Sequence, residues 1–346
     1  EQMATWLALH KIGIIWTVSN MQKIIWNCHH QYIYPHNIID DSEVGMFEVT
    51  TSNCNKDLKG FKRASARDYY LRLWGNFDTK FGSPVVEQYK DKYILRADLA
   101  PGGLKSFGAE RVIAESDYDT MVYVAPRQGH APDAIAMIAK KYNKKCVFFM
   151  PASKQVSDHQ GSLFAYDHCE MKFVKIAAMP VLNKYAKDWA EQNNAHFIPF
   201  GLTGEPTVTA GLVNMCKNIS KQINDPSEIY CAVSTGTMVR ALQIGWPSAK
   251  AYGIAVARNI KDGEKGEAIV ISATMPFLKK INTDHIPFPT TAAYDAKAFD
   301  LFDKQGAKNS IFINVGSDDH INRNLSCVDT TKINSQRKWG DHSDFK

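Results

Sequence analysis

From Tyr93 onward the chain repeats one pattern: a short apolar run, a small-residue turn, a segment with helical spacing, then another apolar run. Residues 93–96 and 121–124 read as strands. Residues 131–142 carry small and apolar side chains at helical spacing, at positions 134, 135, 138 and 139. Residues 146–150 read as a buried strand closed by Pro151. Strands are then expected at 172–177, 196–199, 229–233 and 251–256, and helices at 182–192, 209–223 and from Thr237 through Ile244. Strands separated by helices cannot pair as hairpins and need crossover connections, which makes their sheets parallel. The expected class is therefore α/β with open sheets and helices on both faces.

A chain of 346 residues with 45% hydrophobic and 22% charged residues can bury a large core, so it is not a disordered chain. The net charge of +5 is small and spread out, which gives no electrostatic argument for nucleic acid. Seven cysteines at 28, 54, 146, 169, 216, 231 and 327 form no CxxC pair, a pattern that fits reduced thiols in the cytoplasm better than a disulfide framework. The apolar stretch near the N-terminus is broken by His10 and Lys11. It is too short to span a bilayer, and it lacks the basic flank of a secretory signal.

Residues 1–75 are aromatic-rich and read as an N-terminal extension with a helix or two. Residues 76–317 form the α/β region, with a smaller subdomain over about 108–190, and residues 318–346 read as a polar C-terminal tail. Cys28, His29, His30 and His36 invite a zinc reading. Adjacent residues do not converge easily on one tetrahedral ion and no second ligand pair follows, so no metal is expected there.

Four segments carry candidate chemistry. The first runs from Arg96 through a Gly102-Gly103 turn to Lys105 at a helix start. The positive end of the helix dipole favours the neutral amine, the form that attacks carbonyl groups. The second is Gln128-Gly129-His130-Ala131, between a strand and the Ala-rich helix, where backbone N–H groups can face a ligand. The third is Ser234-Thr235-Gly236-Thr237, which follows an apolar strand and opens a helix. Its amides and hydroxyls suit a phosphate monoester. It lacks the lysine of a P-loop and the three glycines of a dinucleotide fingerprint. The fourth is Tyr294-Asp295-Ala296-Lys297-Ala298, followed by a strand ending in Asn314-Val315-Gly316-Ser317. In open α/β sheets, ligands gather outside the carboxyl ends of the strands.

In order and spacing these segments resemble the fold-type-II enzymes that depend on pyridoxal 5′-phosphate (PLP). The closest branch is that of 1-aminocyclopropane-1-carboxylate deaminase and D-cysteine desulfhydrase, and the resemblance covers about residues 92–317. It implies a tryptophan-synthase-β-like architecture of two open, mostly parallel sheets. The family segment K-R-E-D-L…G-G-N-K is similar to Leu95-Arg96-Ala97-Asp98-Leu99 and Gly102-Gly103-Leu104-Lys105, so Lys105 inherits the Schiff-base role. The family Q-S-N-H turn is similar to Gln128-Gly129-His130-Ala131, and I-P-x-G-G…G to Ile198-Pro199-Phe200-Gly201 with Gly211. The phosphate loop corresponds to Ser234, Thr235, Gly236 and Thr237, and Y-x-G-K-A to residues 294–298.

The sequence departs from the family at Leu104 (asparagine in the family), Gly129 (a serine that can act on substrate) and His130 (the asparagine that bonds the cofactor's 3′-oxygen). Val315 stands where the family threonine meets the pyridine nitrogen, with Ser317 or Asn314 as possible substitutes. The cofactor pocket is thus expected to be kept and the substrate-side chemistry changed. The resemblance implies a soluble homodimer acting on an amino acid by α-carbanion chemistry, through deamination, β-elimination or β-replacement. Lys105 is then both anchor and base. Tyr294 is an acid/base or stacking residue, or else a core aromatic. His130 is a ligand of the 3′-oxygen or a helix cap. Three other readings stay open: a modified nucleotide or carrier-linked amino acid as substrate, a catalytically silent binding protein of this fold, and an unrelated phosphate-binding α/β enzyme.

Overall fold

In the computed structural model, the structure describes residues 56–152, 158–175, 178–258 and 260–319. The proposed zinc ligands Cys28, His29, His30 and His36 lie outside these residues, as does all but the first two residues of the polar tail. No helix among the described residues is long and apolar enough to cross a membrane.

Two sheets organise the chain. The larger has six strands in the order β1-β2-β10-β7-β8-β9, and the smaller has four in the order β5-β4-β3-β6. The large-sheet strands are β1 (Val86–Tyr89), β2 (Lys92–Arg96), β7 (Glu228–Val233), β8 (Lys250–Ala255), β9 (Ile269–Ser272) and β10 (Ser310–Asn314). The small-sheet strands are β3 (Thr120–Val124), β4 (Lys145–Pro151), β5 (Cys169–Val174) and β6 (His196–Ile198). Apart from the antiparallel hairpin of β1 and β2, every pairing is parallel. The expected α/β class with two mostly parallel open sheets is what forms.

The helices are α1 (Lys56–Trp74), α2 (Leu104–Ala114), α3 (Ala131–Lys141), α4 (Asp158–Ser162), α5 (Met179–Gln192), α6 (Pro206–Ile219), α7 (Thr237–Gly245), α8 (Asp262–Lys265) and α9 (Ala296–Gln305). Strands buried on both faces read as continuous apolar runs. β10 shows why: all five of its residues are buried, with Ile311 and Ile313 in one apolar cluster and Phe312 in another. Helix α1 belongs to the core, since Ala66, Tyr70 and Trp74 pack against Ala210, Val213 and Ile244. Its last turn is capped by Arg111, which donates to the carbonyls of Leu73 and Trp74.

Three elements differ by three residues or more from expectation, and one of them, the helix placed at 182–192, starts at Met179. The strand placed at 172–177 forms at Cys169–Val174, because its register is set by β4, where Cys146 pairs with Cys169 and Pro151 with Val174. The helix placed at 209–223 runs over Pro206–Ile219 instead. Proline in the first turn has the right fixed φ and lacks only an N–H that would have no helical acceptor.

Candidate functional site

Strands β2, β10 and β7 are parallel neighbours, so their carboxyl ends open onto one edge. Adjacent strands are about 4.8 Å apart, which puts the turns after β2 and β7 roughly 10 Å apart on either side of β10.

The turn after β2 is built to aim Lys105. Arg96 grips Asp98 with two parallel hydrogen bonds of 2.9 and 2.8 Å, and Asn314 donates to the same carboxylate at 2.7 Å. The Arg-x-Asp pair therefore serves as a brace. Gly103 follows with φ of 71°, and a Cβ there would lie 2.5 Å from the carbonyl oxygen of Val315. That carbonyl accepts the N–H of Leu104 at 2.9 Å, so the start of α2 is tied to the end of β10. Lys105 sits in the first turn of α2 and donates from Nζ to the carbonyl of Gly201 at 3.0 Å. Loss of hydration, then the nearby positive charge of Arg240, pulls its pKa down to about 8.

Gly201 joins the two sheets. Its N–H donates to the hydroxyl of Tyr123, on β3, at 3.0 Å. A Cβ on Gly201 would lie 2.6 Å from Cγ2 of Thr235, so the glycine is wedged between Lys105 and the turn after β7. Gly211 lies further on in α6, where its missing side chain admits the carbonyl of Phe107 in α2.

The turn after β7 leads into α7. Gly236 is its N-cap in the left-handed region, φ 78°, with the carbonyl of Glu264 where a Cβ would stand. Thr235 and Thr237 place their hydroxyl oxygens 3.4 Å apart, and Ser234 and Thr235 are partly exposed. The first-turn amides of α7 have no acceptor within the helix, as in any helix start, and carry its positive dipole end. Arg240, one turn further on, lies beside Gly236 and lines a cleft with Glu205, Pro206, Thr209 and Thr237. Sequence reasoning missed Arg240, although its i+3 spacing from Thr237 puts it on the same helix face.

The third piece of the edge was also missed. Asp295, fully buried, accepts the N–H groups of Val315 and Gly316 on Oδ2 at 3.0 and 3.3 Å. Its Oδ1 is buried with no hydrogen-bond partner. Burial raises its pKa well above the usual carboxylate range, against the lowering effect of the two amides. No local motif marks such a residue, because its meaning depends on backbone twenty positions away.

The remaining expected site residues fall as follows. Tyr294 is half-buried, packs edge-on to Phe277 at 6.3 Å and has its phenol pushed up by burial. His130 does not cap α3 through its side chain. Its Nε2 lies 2.7 Å from the hydroxyl of Thr291, and its ring packs over Gly316 and edge-on to His159. His130 thus enters a buried group with Asp133 and His159. There burial raises the Asp133 pKa to about 7 and lowers that of His159 to about 4. Asn314 accepts from Thr290 and donates both amide hydrogens, to Asp98 and Pro289. Ser317 accepts the N–H of Asp319 at 3.1 Å. The Val315 side chain packs into the apolar core.

No protein-family model matches the chain, and neither does any curated protein sequence. Solved structures do. A crystal structure of an ACC deaminase homologue aligns with TM-score 0.61 at 17% identity, covering 75% of this chain and 99% of that one. The fold is fold type II of the PLP enzymes. A threonine deaminase isoform from Solanum lycopersicum aligns with TM-score 0.55 at 14% identity, covering 84% and 90%. A pyridoxal 5′-phosphate-dependent aspartate racemase aligns with TM-score 0.56 at 13% identity, covering 72% and 95%. In this fold the Lys105 turn and the 234–237 turn flank the end of β10, and the small sheet meets them at Gly201.

Proposed function

We propose that the chain is a PLP-dependent enzyme that removes the α-proton of a small amino acid and leads it to deamination or loss of a β-substituent. The observation that carries this reading is the Lys105 amine, held on the Gly201 carbonyl against the Thr235 turn with its pKa lowered to about 8.

The residues present fit the cofactor. The orphaned Oδ1 of Asp295 supplies a buried carboxyl for a ring nitrogen. We place Asp295 in that role ahead of Ser317 and Asn314, because its Oδ1 is a buried carboxyl oxygen without a partner while both Nδ2 hydrogens of Asn314 are already donated. Ser234, Thr235, Gly236 and Thr237, with Arg240 beside them, suit the phosphate, because amides at a helix start and a guanidinium both favour a dianion. Lys105 would be the covalent anchor. When bound, the cofactor supplies an electron sink for the negative charge that develops at the substrate's α-carbon.

The chain's own groups do the rest. Burial favours the unprotonated form of the Lys105 amine, so Nζ can attack a carbonyl and accept a proton. Asp295 holds a proton on Oδ1 or shares it with a basic nitrogen, because burial makes its lone anion costly. Tyr294 would be the acid/base or stacking group and His130 would meet the cofactor's 3′-oxygen, as the family resemblance implies. Gly129 stands where the family has a serine that can act on substrate, so that hydroxyl would be missing here. The lyase and deaminase outcomes are favoured over racemisation by the aminocyclopropane-deaminase-like order of the motifs.

The test is covalent. Purified protein is incubated with PLP, reduced with borohydride and digested, and the peptide bearing Lys105 is expected to carry the added mass. Lys105→Ala should lose both the adduct and turnover, with a rate loss of roughly 10²–10⁴-fold expected for a missing general base. D- and L-amino acids are then screened for α-hydrogen exchange in heavy water. An adduct that forms equally well in Lys105→Ala would end the proposal.

A further inference from the structure

The amino-terminal edge of the small sheet carries a cluster that the proposed reaction does not use. Cys146 is the second residue of β4, Cys169 opens β5, and the parallel register sets them side by side. The Cys146 thiol reaches the carbonyl of Ile135 at 3.9 Å, on α3. His168, just before β5, places Nε2 2.8 Å from the Ala136 carbonyl and 3.6 Å from Sγ of Cys169. One donor atom from each of Cys146, His168 and Cys169 lies within 4.8 Å of the others. The cysteines are 1% and 9% exposed and the imidazole side chain 15%, so His168 is the most exposed member of a largely buried group.

We propose that Cys146, His168 and Cys169 bind one thiophilic divalent cation, zinc(II) by preference, through two thiolates and one imidazole, with the fourth position taken by water. Bond lengths of about 2.3 Å to sulfur and about 2.0–2.1 Å to nitrogen put tetrahedral sulfur and nitrogen ligands about 3.6 Å apart. The spacing of Cys169 Sγ and His168 Nε2 already has that value. Binding forms two metal–sulfur bonds and one metal–nitrogen bond and displaces two thiol protons to solvent. A dication with two thiolates is neutral, which suits a buried pocket better than a bare charge would. Nothing is oxidised or reduced.

The imidazole can meet the cation at little cost. Its Nδ1 is buried and has no hydrogen bond, while a carboxylate oxygen of Asp167 stands 3.7 Å away. As Nε2 leaves the Ala136 carbonyl for the metal, the ring proton moves to Nδ1 and faces Asp167. This is the outer carboxylate that metal-bound histidines commonly keep. The bound cation would clip the start of β4 to the start of β5, at the opposite end of these strands from the Gly201 edge of the sheet.

Cadmium(II) is the probe, titrated into full-length, metal-stripped protein kept reduced with a phosphine. The expected result is an ultraviolet thiolate-to-cadmium band that saturates at one equivalent, is displaced by zinc, and accompanies a rise of a few degrees in Tm. Cys146→Ser and Cys169→Ser should abolish the band. His168→Ala, at the solvent-facing edge of the cluster, should weaken binding roughly tenfold or more while keeping a native circular dichroism spectrum, so the test survives if a cysteine variant misfolds. A band of full strength in both cysteine variants would place the metal on other thiols and overturn the assignment. So would a reduced chain that takes up no cadmium, including one that instead loses two hydrogens to a disulfide under mild oxidation.

Discussion

The two sheets are assembled from the same strand–helix–strand unit, yet they treat the site differently. The six-stranded sheet supplies the groups with charge to spend: Lys105 after β2, Asp295 beneath the end of β10, and the 234–237 turn with Arg240 after β7. The four-stranded sheet supplies alignment. Tyr123 holds the N–H of Gly201, and Gly201 holds the amine of Lys105. The difference follows from strand order. Insertion of β10 between β2 and β7 sets three loop ends side by side on one edge, whereas the small sheet reaches that edge mainly through the Gly201 turn after β6.

If the large sheet carries the chemistry, the largest effect after Lys105 belongs to Asp295. Asp295→Asn keeps a carbonyl oxygen to accept the Val315 and Gly316 amides, so the fold should be kept. It removes the ionisable group, and turnover should fall by at least about 10²-fold, the lower end expected for a lost proton-transfer partner. Asp295→Ala should also destabilise the protein, by about 1–3 kcal/mol for each buried N–H left without an acceptor. Denaturant titration and turnover measured side by side separate the two effects. An Asn variant with full turnover would remove Asp295 from the chemistry and break the contrast between the sheets.

The small sheet is tested by Tyr123→Phe. The lost hydroxyl leaves the Gly201 N–H without its acceptor, at a cost of about 1–3 kcal/mol. Because Gly201 only positions Lys105, KM and kcat should change by several-fold at most. The mass adduct on Lys105 should still form. A loss as deep as that of Asp295→Asn would show that alignment and chemistry are not divided between the sheets.

Much of this layout could be read from the amino acids, for a physical reason. Central parallel strands such as 146–150 and 229–233 are buried on both faces and become unbroken apolar runs. Lys105 was singled out by the order and spacing of the four segments together, since a lysine after two glycines is by itself usually a surface residue. The edge strands were not. β1 reads Val-Glu-Gln-Tyr and shows no apolar run, while β9 reads Ile-Val-Ile-Ser, a run of only three apolar residues on a mostly exposed edge. β5 was displaced by three residues because Glu170 and Lys172 interrupt its apolar side chains, and only pairing with β4 fixes where it starts. His130 shows the limit at the site. Its position at the head of α3 was evident, but its direction is decided by Thr291 and Gly316, more than 150 residues away.

The smallest expected effect concerns how the large sheet tunes its own lysine. Burial is the main cause of the lowered Lys105 pKa, and the positive charge of Arg240 is the second. Arg240→Gln removes a like charge, so protonation of Lys105 becomes easier and its midpoint should rise above about 8. Because burial remains, the rise should stay under about one unit, which is less than tenfold in the neutral fraction at pH 7.5. Acetylation of Lys105 by a small neutral reagent, followed against pH without cofactor, reads this directly and avoids any role of Arg240 in holding phosphate. The sign carries over to stability. Between about pH 8 and the ordinary lysine range the unfolded chain holds more protons than the folded one, so this lysine's contribution to stability grows as pH rises through that window. In Arg240→Gln the window begins at higher pH and its slope covers a shorter range. An unchanged acetylation midpoint would mean that the amine of Lys105 is governed by burial against Gly201 alone.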